Sequence, residues 1–238
     1  MSLFSRKAAG TKSSIQLIGA NVDTVFLVCS MNQDFNLNRI ERYLILANDA
    51  AVEPVVVLSK MDCCDDPQDY VQQVEALDPL LIVVPVNSLD PDSVRNLEPW
   101  CAAGKTVALL GSSGVGKSTL VNTLCNQTVQ DTRSIRENDA KGRHTTSRRS
   151  LHLLPAGGLL LDTPGMRELQ MAGCEYGVEE TFTDIVELST QCKFTDCQHV
   201  NEPGCSVQAQ ICADRLEKRR LSNYLKLMRE QAFNKATL

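Results

Sequence analysis

Residues 111 to 118 read Gly-Ser-Ser-Gly-Val-Gly-Lys-Ser, the spacing GxxxxGK[ST]. Glycines at these intervals let successive backbone N–H groups curl around one anion, and a helix starting at Lys117 adds its positive end. Lys117 is placed to reach the outer phosphates of a nucleotide and Ser118 to ligate magnesium. Gly111, Ser112, Ser113, Gly114, Val115, Gly116, Lys117, Ser118 and Thr119 are therefore candidate phosphate-binding residues. A carboxylate at the end of another buried strand is needed on the magnesium side, and Leu159-Leu160-Leu161-Asp162-Thr163-Pro164-Gly165 supplies it. Asp162 would hold the ion through water, and the Gly165 amide could sense the γ phosphate. Between the two elements, Lys141-Gly142-Arg143-His144-Thr145-Thr146-Ser147 is basic and polar, and it is where a second magnesium hydroxyl belongs, on Thr145 or Thr146.

Phosphate chemistry is blind to the base. Guanine is read by a carboxylate that accepts from both the ring N–H and the exocyclic amine, a donor pair adenine does not present. Ser59-Lys60-Met61-Asp62 follows the apolar run Val55–Leu58 and resembles the [NT]KxD motif of GTPases. In that reading Asp62 pairs with guanine and the Lys60 stem covers its face. Ser59 replaces the usual Asn or Thr, which weakens the expected support for the phosphate loop. Val86-Asn87-Ser88 ends the next apolar run, where a short turn would present a backbone N–H to the guanine oxygen.

A third cluster, Cys192-x4-Cys197-x-His199-x5-Cys205, puts three thiols and one imidazole within fourteen residues. Three sulfurs and one nitrogen match a closed, four-coordinate structural zinc site; buried unligated thiols and a disulfide are the competing readings. Cys212 and Cys174 are further from the pattern, and Cys29 and Cys125 fall in apolar elements as core residues. Ten cysteines spread over 238 residues with no export signal favour reduced thiols or metal ligands over a disulfide framework.

With a net charge of −5 the chain is not one that coats nucleic acid, yet residues 132–149 carry six Lys/Arg against two acids, and residues 205–238 seven against three. Contacts with a polyanion would be local. The longest apolar stretch, Leu80–Val86, is far too short to span a bilayer. The expectation is a cytoplasmic, monomeric protein without a membrane partner.

The elements that must position these groups follow from periodicity. Buried strands are expected at Val22–Val28, Val55–Leu58, Leu81–Val86, Thr106–Leu110 and Leu159–Leu161. Helices are expected at Leu37–Ala47, after an Asp66-Pro67 start, at Asp92–Trp100 and at Lys117–Asn126. Apolar strands alternating with helices call for a parallel sheet covered on both faces, a three-layer α/β domain over 15–173. Residues 1–14 read as a linker, and 174–238 as a small, mostly helical, metal-binding domain ending in a helix from Ala213 to Met228. In that helix Leu216, Leu221, Leu225 and Met228 would face inward, with Arg215, Lys218, Arg219, Lys226 and Arg229 outward. A basic face of this kind suits nucleic-acid phosphates, or is simply solvated.

In most GTPases the phosphate loop precedes the base-reading motifs. Here SKMD and VNS come first, then GSSGVGKST, then KGRHTTS and DTPG, a circular permutation. Together with the GRHTT segment and the Cys/His cluster, that order resembles the RsgA (YjeQ) family of bacterial ribosome-associated GTPases, from about Lys7 onward. The resemblance implies a P-loop GTPase fold that binds GTP and GDP with magnesium, carries one structural zinc, and acts in late maturation of the small ribosomal subunit, contacting its rRNA and stimulated by it. It also implies a role for His144. Position 166, after DTPG, is Met rather than a water-orienting glutamine, and the family's GRHTT histidine is the nearest group able to exchange a proton near neutral pH. An ordinary loop histidine is the competing reading, as solvated residues are for Arg143, Arg148 and Arg149, which otherwise could contact rRNA or supply transition-state charge. His152 reads as structural.

Members of that family begin with an OB-fold domain, for which fourteen residues leave no room. The chain is then a fragment or a member lacking that domain. Two rival functions stand beside the GTPase: a P-loop ATPase or small-molecule kinase, and a nucleotide-gated RNA-binding switch with negligible turnover of its own.

Overall fold

A computed structural model describes residues 2–7, 15–130, 150–162 and 173–236. His144, Thr145, Thr146, Gly165 and the three loop arginines, Arg143, Arg148 and Arg149, lie outside the described residues.

The chain opens on an antiparallel pair, β1 (Leu3–Lys7) with β2 (Ile15–Ala20), closed at its base by Asn21 N–H donating to the Ser2 carbonyl at 3.0 Å. Residues 1–14 are thus not simply a linker. Five residues of mixed polarity carry too little period-two signal to reveal a strand; pairing of main chain to β2 supplies what the side chains do not advertise.

The central sheet is built from β3 (Thr24–Ser30), α1 (Leu37–Asp49), β4 (Glu53–Ser59), α2 (Pro67–Glu75), β5 (Ile82–Pro85), α3 (Pro91–Val94), β6 (Thr106–Leu110), α4 (Lys117–Cys125), β7 (Ser150–Leu153) and β8 (Leu159–Asp162). The order across the sheet is β5-β4-β3-β6-β8-β7, parallel except for the pairing of β7 with β8. Every residue of β3 is buried. Val25, Leu27 and Cys29 point to a core shared with α1 and α2, while Phe26 and Val28 point to the opposite core under α3 and α4. Both sheet faces are therefore covered, which is why these strands lack polar alternation.

Boundaries shift where capping or pairing overrides periodicity. Strand β3 starts two residues later than expected because Asp23 is committed to the neighbouring strand: its carboxylate accepts from Thr106 N–H at 2.8 Å. Helix α2 begins as read, with Asp66 accepting from Gln68 N–H at 3.1 Å and Pro67 at the first position. The Asp92–Trp100 helix resolves into one α turn followed by a 3-10 segment, Arg95–Trp100, that contains Pro99. Strand β7, unmarked in the sequence beyond an apolar stretch, holds His152, whose Nε2 lies 2.8 Å from Ser150 Oγ.

After Gly173 come α5 (Glu175–Thr181), α6 (Thr183–Ser189), α7 (Ser206–Cys212) and α8 (Lys218–Ala236). Val178, Phe182, Ile185, Val207, Leu221 and Leu227 join the same core as α1 and α2. Gly177 allows α5 to lie against α1, since a Cβ there would run into the Ile45 carbonyl oxygen. The last helix starts five residues later than expected because Asp214 takes a left-handed conformation (φ 54°) between it and α7. Of the residues expected to face inward, Leu221 is buried and Leu225 packs against the core, as does Leu216 just ahead of the helix, but Leu227 takes the inner position and Met228 is 41% exposed. Arg219 does not point free into solvent; it bonds to Asn38 and Glu41 on α1.

Candidate functional site

Because β3, β4, β6 and β8 run parallel, the loops leaving their C-terminal ends emerge along one edge of the sheet. This is where open α/β sheets place ligands. Ser59, Gly111 and Asp162 all sit on that edge.

The phosphate loop is defined by close approach. Gly111 lies against β3, and a Cβ on it would collide with the Val28 carbonyl oxygen. Gly116 adopts φ 94° immediately before α4. Val115 is buried in the core under α4, and Ser112 is nearly so, while Ser113, Lys117, Ser118 and Thr119 are half-buried and Gly114 is exposed. Lys117 Nζ donates to the carbonyls of Gly111 and Ser112, each at 2.6 Å, so the ammonium rests across the mouth of its own loop.

The base-side motif meets this loop directly. Ser59 is fully buried; its Oγ lies 2.5 Å from the Val115 carbonyl and 3.2 Å from that of Cys29. The shorter of the two contacts is to Val115, so Ser59 braces the phosphate loop through one hydroxyl, in the place where Asn or Thr is usual. Lys60 is held in the left-handed region (φ 61°), a conformation that costs a non-glycine residue about 1 kcal/mol or more and persists only where its surroundings fix it. Met61 N–H donates to the Val86 carbonyl at 3.2 Å, joining the motif to the Val86-Asn87-Ser88 turn. Asp62 is exposed and accepts from the Cys63 thiol at 3.4 Å. Asn87 caps its own turn, its side chain accepting from Leu89 N–H at 3.0 Å. Ser88 is 6% exposed, and its Oγ is the one buried side-chain oxygen among the described residues without a hydrogen-bond partner. A methyl group placed on Gly116 would sit 3.8 Å from the Ser59 hydroxyl and 3.9 Å from that of Ser88. The SKMD loop, the VNS turn and the phosphate loop therefore meet around Gly116, with the unpartnered Ser88 hydroxyl buried at the junction.

Asp162 is buried at the end of β8 and accepts from Gln130 Nε2 at 2.6 Å. Asn122 sets Gln130 in place, accepting from its N–H and donating to its carbonyl, each at 2.8 Å. The Asp162 carboxylate and the Ser118 hydroxyl are hard oxygen donors of the type magnesium takes.

The Cys/His residues close up as the spacing predicts. The ligand atoms of Cys192, Cys197, His199 and Cys205 all lie within 4.8 Å of one another. His199 Nδ1 is 3.6 Å from Cys192 Sγ and 3.5 Å from Cys205 Sγ, with the two sulfurs 3.9 Å apart. A tetrahedral ion with metal–sulfur bonds of about 2.3 Å imposes edges of about 3.5 to 3.8 Å, so the cluster fits a bound metal. Gln208 fixes the knuckle by donating to the His199 carbonyl at 2.6 Å. Burial pushes the Cys192 thiol up, but N–H donors from Ser206 and Val207, with hydrogen bonds from Cys205 and Cys197, together hold it below its ordinary value. Cys212 is exposed and Cys174 buried elsewhere; neither joins the cluster.

Sequence reasoning missed the partners of these groups: Gln130 and Asn122 beside Asp162, and Asp34 and Arg39 beside Ser112. No motif marks them. The signal that could have found Asp34 and Arg39 is strand order, because β3 neighbours β6 and the loop after it must flank the phosphate loop.

Fold and site together define a permuted P-loop nucleotide-binding domain joined to a Cys3His metal knuckle. A family model described as RsgA GTPase matches residues 1–172, and the chain belongs to that family. The chain is 63% identical over 238 residues to a protein of Vibrio parahaemolyticus named small ribosomal subunit biogenesis GTPase RsgA 2, covering 100% of this chain and 66% of the relative. A relative of the same name in Vibrio vulnificus is 59% identical over 233 residues, 98% of this chain and 67% of its own length. The chain thus spans about two thirds of the length of these curated relatives. Among solved structures, YjeQ from Thermotoga maritima superposes with a TM-score of 0.64 at 27% identity, over 96% of this chain and 74% of that one. YloQ, described as a circularly permuted GTPase, gives 0.62 at 28% identity, over 92% and 70%.

Proposed function

We propose that this chain binds guanine nucleotides and hydrolyses GTP to GDP and phosphate during maturation of the small ribosomal subunit, in the cytoplasm, with turnover stimulated by that subunit. The observation that carries the reading is the junction of the two motifs: the buried hydroxyl of Ser59, in the SKMD segment, bonded to the phosphate-loop carbonyl of Val115, with the unpartnered Ser88 hydroxyl close to the same loop at Gly116. A nucleotide laid across that junction has its phosphates at Gly111–Thr119 and its base at Lys60, Met61, Asp62, Asn87 and Ser88. The names of the relatives support the ribosomal assignment.

In this reading the loop N–H groups and Lys117 neutralise the β and γ phosphates, and the helix N-terminus at Lys117 adds its dipole. Asp62 accepts both guanine donors. Ser118 and Asp162, with Thr145 or Thr146, would hold magnesium, which when bound withdraws charge from the transferring phosphoryl group. Gly165 reports the γ phosphate, and His144 replaces the glutamine that Met166 cannot imitate in orienting water. The metal of the Cys192, Cys197, His199 and Cys205 knuckle is zinc. With all four positions filled by protein, it holds a fold instead of performing chemistry.

The test is competition binding with a fluorescent guanine nucleotide and magnesium, comparing GDP, GTP and ATP as displacers on this chain and on Asp62→Asn. Displacement by GDP and GTP but not ATP, lost in the variant, is expected. Equal displacement by ATP would overturn the guanine reading. Adding small ribosomal subunits should then raise turnover, and His144→Ala should abolish that rise.

A further inference from the structure

The phosphate loop is braced at its Val115 end by Ser59. Its opposite end is braced by two residues that belong to none of the nucleotide motifs. Ser112 Oγ donates to Asp34 Oδ2 at 3.0 Å and accepts from Arg39 Nη1 at 2.9 Å, while Arg39 and Asp34 are themselves paired at 2.7 Å. One hydroxyl with a designated donor and a designated acceptor has no rotational freedom left. The Ser112 carbonyl also accepts from Lys117 Nζ, so the residue anchored through its side chain on Asp34 and Arg39 is also one whose main chain holds the lysine.

The pair is built in advance. Ser30 Oγ and Asp34 N–H both donate to Asn32 Oδ1, at 2.9 and 3.0 Å, which fixes the turn leaving β3. Phe35 packs edge-on against Tyr70 at 4.8 Å, tying the turn to α2. Asn36 then caps α1 by accepting from Arg39 N–H at 3.1 Å, placing Arg39 in the first turn of α1. Burial pushes the Asp34 carboxyl up, but hydrogen bonds from Arg39 and Ser112 hold it below its usual range, so it stays an acceptor.

We infer that Asp34 and Arg39 are positioning residues for the phosphate loop: acting through Ser112, they set the loop amides and Lys117 for a nucleoside diphosphate or triphosphate without touching it. The inference rests on the nucleotide-binding reading above. It makes a prediction of definite sign. Asp34 is an anion close to the phosphate site, so by charge alone Asp34→Ala should tighten GDP binding; by positioning it should weaken it.

The experiment measures GDP affinity by displacement of the fluorescent nucleotide for Asp34→Ala, Arg39→Ala, Ser112→Ala and the double variant Arg39→Ala with Ser112→Ala. Each single change is expected to weaken GDP by about tenfold, the scale of one charge-assisted hydrogen bond. Arg39→Ala should cost little more once Ser112→Ala is present, because its effect passes through that hydroxyl. Tighter binding by Asp34→Ala, unchanged binding by Arg39→Ala, or losses that simply add would each overturn the inference. Ser112→Ala reaches the contact without altering α1, which keeps the test intact should Arg39→Ala fail to fold. A parent chain that binds no guanine nucleotide would instead sink the underlying functional reading, a separate outcome.

Discussion

Glu41 is the most informative single residue for the way the C-terminal helices are held. It lies on α1 with its side chain fully buried, accepting from Arg219 at 3.0 and 3.1 Å, Arg220 at 2.9 Å and Asn223 at 2.5 Å, all on α8. Arg220 is also buried, stacks on the Phe182 ring at 4.8 Å, and has further partners in Asp184 and the Thr181 carbonyl. Removing one member of a buried ion pair costs about 3 to 5 kcal/mol, because the other charge is left without compensation. Arg220 retains Asp184, and Arg219, already 29% exposed, can turn outward. Glu41→Ala should therefore fall at the lower end, about 3 kcal/mol. At about 2 to 4 °C per kcal/mol for a chain of this size, the melting midpoint should drop by about 6 to 12 °C. Circular dichroism melting reads the shift, and hydrogen exchange locates it: α8 amides should lose protection first. Glu230→Ala serves as the control, since its pairing with Arg42 is partly exposed and worth at most about 1 kcal/mol. A Glu41→Ala midpoint within 2 °C of the parent, or no larger a loss than Glu230→Ala gives, would refute the account of a buried carboxylate as the anchor of α8.

Two further outcomes follow from the site. Metal analysis should find one zinc per chain, and chelation or Cys205→Ser should release the Gln191–Ser206 knuckle and α7 to protease while the central sheet keeps its circular dichroism signal; an unchanged cleavage pattern would remove the metal's structural role. Ser59→Ala deletes the brace on Val115 and should weaken GDP by about tenfold with little loss of stability, measured by the same displacement assay, the hydrogen bond being one hydroxyl to one carbonyl in a buried setting.

Two functions of α1 emerge from its sequence Leu-Asn-Arg-Ile-Glu-Arg-Tyr-Leu, residues 37–44. Its apolar positions fill the sheet core, and its charged ones reach in two directions, Arg39 to the phosphate loop and Glu41 to α8. Periodicity identifies the helix and its inner face. It cannot say that Glu41 is as buried as Ile40, because a charged residue beside an apolar stripe usually meets water, and only a second helix bearing Arg219 and Arg220 reverses that expectation.

The candidate site residues are legible from sequence because each set is local. Eight consecutive residues wrap one phosphate loop, four follow one strand into the base-side loop, and fourteen residues enclose the metal knuckle, so spacing along the chain is nearly spacing in space. The strands were legible because a parallel sheet covered on both faces needs unbroken apolar runs. What sequence left undecided depends on which strand lies beside which. Ser59 reaches Val115, and Asp34 and Arg39 reach Ser112, only because β3 stands between β4 and β6. Strand β1 exists through main-chain pairing with β2, the start of α8 through a left-handed turn at Asp214, and the burial of Glu41 through a helix that joins the chain about 180 residues later. Local pattern fixes what a segment can become; contacts between distant segments decide which polar groups are solvated and which are structural, because that depends on what else arrives to exclude water.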